Sequence, residues 1–159
     1  MAAPGVAGLL MRVDLPRDTP APVWPAGASV RAFRPTDAEA VHALLEHGYR
    51  NGGGSVAPFG EWLPRLVGDS EFDPETCFLV TAGDELAAAS ICWTSGFVKD
   101  LVVHESWRRQ GLGESILHLA FRTFEDRGAR QVDLKVEAQN AGAIRLYERV
   151  GMRVVERFG

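Results

Sequence analysis

The stretch "DLVVHESWRRQGLGESIL", residues 100–117, decides the reading of the fold. It opens as an apolar, strand-like run (Leu101, Val102, Val103) and closes as the start of a helix, with Arg108-Arg109-Gln110-Gly111-Leu112-Gly113 between them. The N-terminus of a helix carries unpaired N–H groups and a partial positive charge. Glycines let backbone approach an anion closely, and arginines add fixed cations. Strand, Arg/Gly-rich loop, helix is thus the pattern of a phosphate cradle, with a solvated basic loop as the plain alternative. No GK[ST] follows, so the loop is not a Walker loop. Gly111-x-Gly113 half matches a dinucleotide fingerprint, with Glu137 in the next strand. Yet Ile116 stands at the third glycine position, and the unit comes too late in the chain to found a doubly wound sheet.

Upstream of this stretch, residues 1 to 27 are rich in Pro, Ala and Gly and read as an arm or linker, with "GLLMRVDL" as a weaker candidate for a short added strand. "SVRAFR" (29–34) alternates as a strand does. "PTDAEAVHALLEHGYR" has Pro35 in the first turn, Thr36 as an N-cap and Glu39 as its capping-box partner. "NGGGS" (51–55) breaks that helix, and 59–69 reads as a short helix interrupted by Pro64. Residues 76–94 form two strands about a Gly83-Asp84 turn, and 97–103 a third. Downstream come a helix from 111 to 127, a strand over 130–138, a helix over 140–151 ending at Gly151, and a final strand, with no internal repeat. The order β, α, α, β, β, β, α, β, α, β gives an α/β fold. Its mixed, mostly antiparallel sheet has about six to seven strands flanked by about four helices.

The 159 residues are 46% apolar and 24% charged with a net charge of −4, the composition of one ordinary globular domain. That balance argues against nucleic acid as a partner. No apolar run reaches the roughly 18 to 20 residues that span a bilayer, so no membrane partner is expected. The N-terminus is a poor signal peptide, which makes cytoplasmic the default location. Cys77 and Cys92 form no CxxC and have no clustered histidines beside them; they read as reduced core thiols, and no metal is expected.

Arg108-x-x-Gly111-x-Gly113 after "KDLVV" resembles the acyl-coenzyme-A-binding motif (R/Q-x-x-G-x-G/A) of the GNAT superfamily of N-acyltransferases. Further on, Asn140, Ala143, Leu146, Tyr147, Gly151 and Met152 resemble the second signature, N-x-x-A-x-x-L-Y-x-x-x-G-F/M. The resemblance covers residues 29 to 159 and assigns 28–159 to one such domain. Some stretches look like actinobacterial members, some of which carry two such domains in tandem.

The resemblance implies acetyl-CoA as co-substrate and acetyl transfer to a primary amine by direct attack through a tetrahedral intermediate. The acceptor would be a small molecule or a peptide, and a homodimer would be unsurprising. In the family the two central strands splay and the pantetheine arm fills the gap. The backbone of Leu101, Val102 and Val103 would hold the arm and supply an N–H for the oxyanion. N–H groups from Arg109, Gln110, Gly111, Leu112 and Gly113 would hold the pyrophosphate, with Arg108 or Arg109 pairing with phosphate. Glu114 departs from the small residue common there, and its charge beside a phosphate is unfavourable unless it faces solvent.

Ala143 lies in the second motif on the coenzyme side. Asn140 would bond the next strand or the pantetheine, and serves equally as a helix N-cap. Tyr147 corresponds to the tyrosine near the coenzyme sulfur, able to protonate or hydrogen-bond a departing thiolate; a packed phenol is the bland reading. For the base, many members carry a carboxylate at positions matching Phe97 or Lys99, and neither is acidic here. Asp100 is the acidic candidate on this strand, with a structural role as the alternative. His104 has a suitable intrinsic pKa. Glu46, His47, Tyr49, Glu61, Trp62 and Trp93 fall where the family walls its acceptor site. An idle acyl-CoA-binding domain and, distantly, an NAD-binding fragment remain as other classes.

Overall fold

The computed structural model describes residues 5–159. Seven strands and four helices follow one another as β1 (Gly8–Asp14), β2 (Ala28–Ala32), α1 (Ala38–Tyr49), α2 (Phe59–Gly68), β3 (Cys77–Ala82), β4 (Glu85–Trp93), β5 (Phe97–Val103), α3 (Leu112–Asp126), β6 (Gln131–Glu137), α4 (Ala141–Arg149) and β7 (Arg153–Phe158). They build one sheet in the order β2-β3-β4-β5-β6-β1-β7. Every neighbouring pair is antiparallel except β5 with β6. This mixed, mostly antiparallel sheet is the expected fold class.

Helices cover the two faces. Val41 and Leu45 of α1 and Trp62 and Leu66 of α2 bury against Leu79, Ala89 and Ile91 on one side. Ile116, Phe121 and Phe124 of α3 and Tyr147 of α4 bury against Met11, Val98 and Leu134 on the other. The buried residues recur four positions apart, Val41 to Leu45, Trp62 to Leu66, and Ile116 through Ala120 to Phe124, which is what lets one helix face do this.

Residues 8–14 correct the reading of 1–27 as an arm. The candidate "added strand" is β1, hydrogen-bonded to β6 on one side and β7 on the other. Leu9, Met11 and Val13 alternate into the core. A Pro/Gly-rich composition on both sides masked a strand whose period of two was present. The rest of the segment lies along α3: Ser115 Oγ donates to Val23 O at 2.7 Å, Arg122 donates to Thr19 O at 2.8 Å, and Arg17 N donates to Glu125. The first four residues of that expected arm lie outside the described residues.

Pro64 does not interrupt α2, which runs through it. Burial of Trp62 and Leu66 on the inner face outweighs the one i→i−4 bond a proline removes. Cys77 and Cys92 are free and buried, and burial pushes both thiols up to about 12.

Candidate functional site

The irregularity that makes the site lies in β5. Ile91 pairs with Asp100 but the next residue, Cys92, pairs with Val98, so Lys99 is the extra residue of a β-bulge. The bulge reverses the alternation. Val98 packs under α3 and α4, whereas Val102 packs under α1. Asp100 follows Val102 to the α1 face. Pairing with β6 is confined to Phe97–Asp133 and Val98–Leu134, the two residues before the bulge. Beyond it β5 and β6 splay apart, as expected from the resemblance.

A groove of about 180 Å³ opens in the splay, walled by Leu101, Val102, Val103, Asn140, Ala143 and Tyr147, with Gly48, Tyr49, Gly52 and Gly53 from the end of α1. Val103 and Arg108 also wall an adjoining groove of about 210 Å³ that runs past Arg109, Gly111 and Gly113. The two form one track from the sheet to the start of α3. The structure thus brings all the expected coenzyme-binding residues onto or beside one track, except that Gln110 borders a different cavity, under Trp24 and Pro25.

The loop at the outer end of the track is shaped for an anion. Arg109 has φ 64° and Gly111 φ 77°. Left-handed residues alternating with ordinary ones turn backbone N–H groups into a common concavity. Holding a non-glycine residue there costs about 1 kcal/mol. Gly111 is the N-cap of α3 and no side chain caps the helix. A Cβ on Gly113 would stand 3.2 Å from the Leu146 side chain, so glycine sets the close approach of α3 to α4.

At the inner end two phenols face the track. Tyr147 is 3% exposed, and burial pushes its hydroxyl above its ordinary range. Tyr49 donates from its hydroxyl to Asp100 Oδ1 at 2.7 Å. Burial, followed by the Asp100 charge, raises the Tyr49 phenol well beyond its usual value, so it remains a donor. Asp100 Oδ2 accepts from Lys99 Nζ at 3.1 Å, which leaves this carboxylate 3% exposed with both oxygens engaged. Gly48 makes the arrangement possible, because a Cβ there would overlap the Val102 side chain and hold α1 away from β5. Asn140 caps α4, accepting from Ala143 N at 3.3 Å, and also borders the groove.

Tyr49 is the residue that sequence reasoning undervalued. Its signal was helical phase: Val41, Leu45 and Tyr49 lie four apart on the buried stripe of α1. The other candidates lie elsewhere. His104 accepts from Ser106 N and caps a short turn. His47 stacks on His104 at 6.0 Å and sits 3.3 Å from Glu105. Glu46 is 3.6 Å from His42, and Glu61 is 3.6 Å from Arg65 on the exposed side of α2.

On the other side of the Lys99–Asp100–Tyr49 chain lies a cavity of about 320 Å³, walled by Val56, Trp62, Arg65, Asp69, Trp93 and Lys99. Trp62 and Trp93, expected as acceptor walls, both line it. Among the described residues no helix is long and apolar enough to cross a membrane, and no group of His, Cys, Asp or Glu is arranged to hold a metal ion.

Comparison with known proteins agrees with this geometry. The model of the acetyltransferase (GNAT) family matches residues 38–152. Mycothiol acetyltransferase of Streptomyces bingchenggensis is 31% identical over 151 residues, 87% of this chain and 47% of that protein. The chain therefore spans about half the length of that curated relative. A GCN5-related N-acetyltransferase from Sphaerobacter thermophilus superposes with a TM-score of 0.81 at 29% identity, over 96% of this chain and 49% of the other. Naa50 of Arabidopsis thaliana, solved with the bisubstrate analogue CoA-Ac-MVNAL, shares the fold at a TM-score of 0.66 and 17% identity, over 82% of this chain and 86% of that one.

Proposed function

The chain belongs to the GNAT acetyltransferase family, an acyltransferase enzyme by that membership, and from that premise we propose that it moves an acetyl group from acetyl-CoA to a primary amine by direct attack. The observation that carries this reading is the splay of β5 from β6, which opens into the track that ends at the Arg109–Gly111 loop. The pantetheine arm would lie along Leu101–Val103 and the pyrophosphate on the first turn of α3, with Arg108 or Arg109 as countercharge. A backbone N–H at the splay would stabilise the tetrahedral oxyanion. Tyr147 would donate to the departing sulfur.

The acceptor belongs in the cavity under Trp62 and Trp93. Asp100 acts here as a positioning residue. Buried and bonded to both Tyr49 and Lys99, it holds the end of α1 against the bulge and does not meet the amine. The amine's proton then leaves through water. The acceptor is a small-molecule amine or a peptide amine, since the relatives include both a mycothiol acetyltransferase and an N-alpha-acetyltransferase.

The experiment is to incubate the protein with acetyl-CoA and a panel of small amines and peptides, measuring thiol release and product mass. Acetylated product on at least one amine is expected. Tight acetyl-CoA binding with no turnover on any amine would instead favour an idle coenzyme-binding domain.

A further inference from the structure

The coenzyme groove contains one feature that opposes its proposed ligand. Glu114, in the first turn of α3, and Arg149, at the end of α4, both line the stretch that also holds Arg108, Arg109 and Gly111. Glu114 Oε1 accepts from Arg149 Nε at 3.4 Å, so the pair spans the groove. The helix crossing imposes this. Gly113 packs against Leu146, and Glu114 is the next residue while Arg149 is one turn beyond Leu146. Glu114 therefore does not simply face solvent, the condition under which its charge would be harmless beside a phosphate.

Resting on the acetyl-CoA reading above, we propose that Glu114 is a donor-selectivity residue. In the empty protein it holds Arg149 across the groove, and a bound coenzyme must draw Arg149 from Glu114 to its own phosphates. An exposed pair of this kind is weak enough to be broken by a competing anion. A phosphate bears up to two charges and three acceptor oxygens, and guanidinium pairs with it in bidentate geometry. Glu114 stays beside the track after Arg149 has moved, so its repulsion grows with the number of phosphate charges nearby. Acetyl-CoA, with its extra ribose 3′-phosphate, is penalised more than the same donor without it. Glu114 thereby loosens the donor and eases release of free coenzyme.

The test is calorimetric binding of acetyl-CoA and of acetyl-dephospho-CoA to wild type, E114Q, R149Q and the double variant, at low and high salt. Glutamine keeps the size and reach of Glu114 at a partly exposed position, and a thermal melt checks the fold of each variant. E114Q is expected to bind acetyl-CoA about three- to tenfold more tightly at low salt, the size of an interaction between partly exposed charges. The gain should be smaller for the dephospho donor and should shrink at high salt, where the screening length falls to a few ångströms. R149Q should bind both donors more weakly. Unchanged or weaker binding of acetyl-CoA by E114Q, or an equal gain for the two donors, overturns the proposal while leaving the coenzyme reading intact. A wild-type protein that binds neither donor overturns both.

Discussion

Replacing Tyr147 with phenylalanine tests the leaving-group step. The side chain is 3% exposed, and the ring packs in the core beneath α3 and α4. Phenylalanine keeps that ring and deletes only the hydroxyl, so the expected loss of stability is about 1 kcal/mol, the size of a single hydrogen bond. The catalytic effect follows from the environment of the phenol. Burial raises it above its ordinary value near 10, and a coenzyme thiol titrates near 8.5. A phenol harder to ionise than the thiol does not hand its proton over completely. In the proposed mechanism it would stabilise the departing sulfur as a hydrogen-bond donor, and that help would exist mainly in the transition state. The expected fall in kcat is therefore about ten- to a hundredfold, with each factor of ten worth about 1.4 kcal/mol. KM for acetyl-CoA should change much less. The assay is thiol release at saturating donor and acceptor, corrected for folded fraction by a thermal melt. Full kcat in a folded Tyr147→Phe protein, with any acceptor the wild type uses, refutes the assignment.

Three further outcomes follow from the structure. Gly111→Asp puts bulk and negative charge at the N-cap of α3, where an added Cβ meets nothing within 4 Å but the left-handed φ of 77° costs about 1–2 kcal/mol, so a thermal melt must first show the variant folded; acetyl-CoA binding by calorimetry should then weaken about a hundredfold or more, and unchanged affinity would mean the cradle is misplaced. Met11→Ala tests β1: the side chain is fully buried, so the loss should be about 2–5 kcal/mol, read as a drop in Tm of roughly 5–20 °C for a domain of this size, whereas an unshifted melt would restore the arm reading. Asp37 is held below the usual carboxylate range by the Arg31 guanidinium, 2.7 Å away, and by Arg34 N; a depressed folded pKa stabilises above the unfolded value near 4 and is lost as pH falls through the folded value, so Asp37→Asn should destabilise by about 1–2 kcal/mol at pH 7 and converge with wild type in melts taken at progressively lower pH; equal stability at pH 7 would dismiss the pair.

The sequence disclosed those parts that rest on short-range signals. The helix that opens at Gly111, the hairpin about Gly83 and the terminal helix and strand follow from spacing and caps, and they fall where the structure has them. Strand β1 was hidden because its flanks are rich in Pro, Ala and Gly, and because its partners, β6 and β7, are the last two strands of the chain. No local pattern encodes pairing across more than a hundred residues. The track from the β5–β6 splay to the start of α3 is lined by residues of the two motifs. The wall between the two cavities was not legible, because Tyr49 and Asp100 meet across fifty-one positions, and neither was the Glu114–Arg149 pair on the track itself, which meets across thirty-five.

The bulge at Lys99 ties these observations together. In a regular strand Val98, Asp100 and Val102 would share one face. One extra residue separates Val98 from the other two and turns Asp100 toward α1, where Tyr49 meets it beside Gly48. Paired residues on β5 and β6 also end at the same point, because a bulge disturbs the ladder and sharpens the local twist. Two consequences therefore share one cause. The splay leaves backbone groups of Leu101–Val103 without a strand partner from β6, and the Leu101 backbone turns to Tyr49 instead. The same turn fixes a buried, hydrogen-bonded carboxylate between the groove in the splay and the cavity under Trp62 and Trp93, the proposed donor and acceptor sites. A carboxylate so placed is poorly suited to take a proton from an incoming amine, since both oxygens are occupied. It is well suited to hold the two sites at a constant separation, which is what the proposed direct transfer between two bound substrates would require.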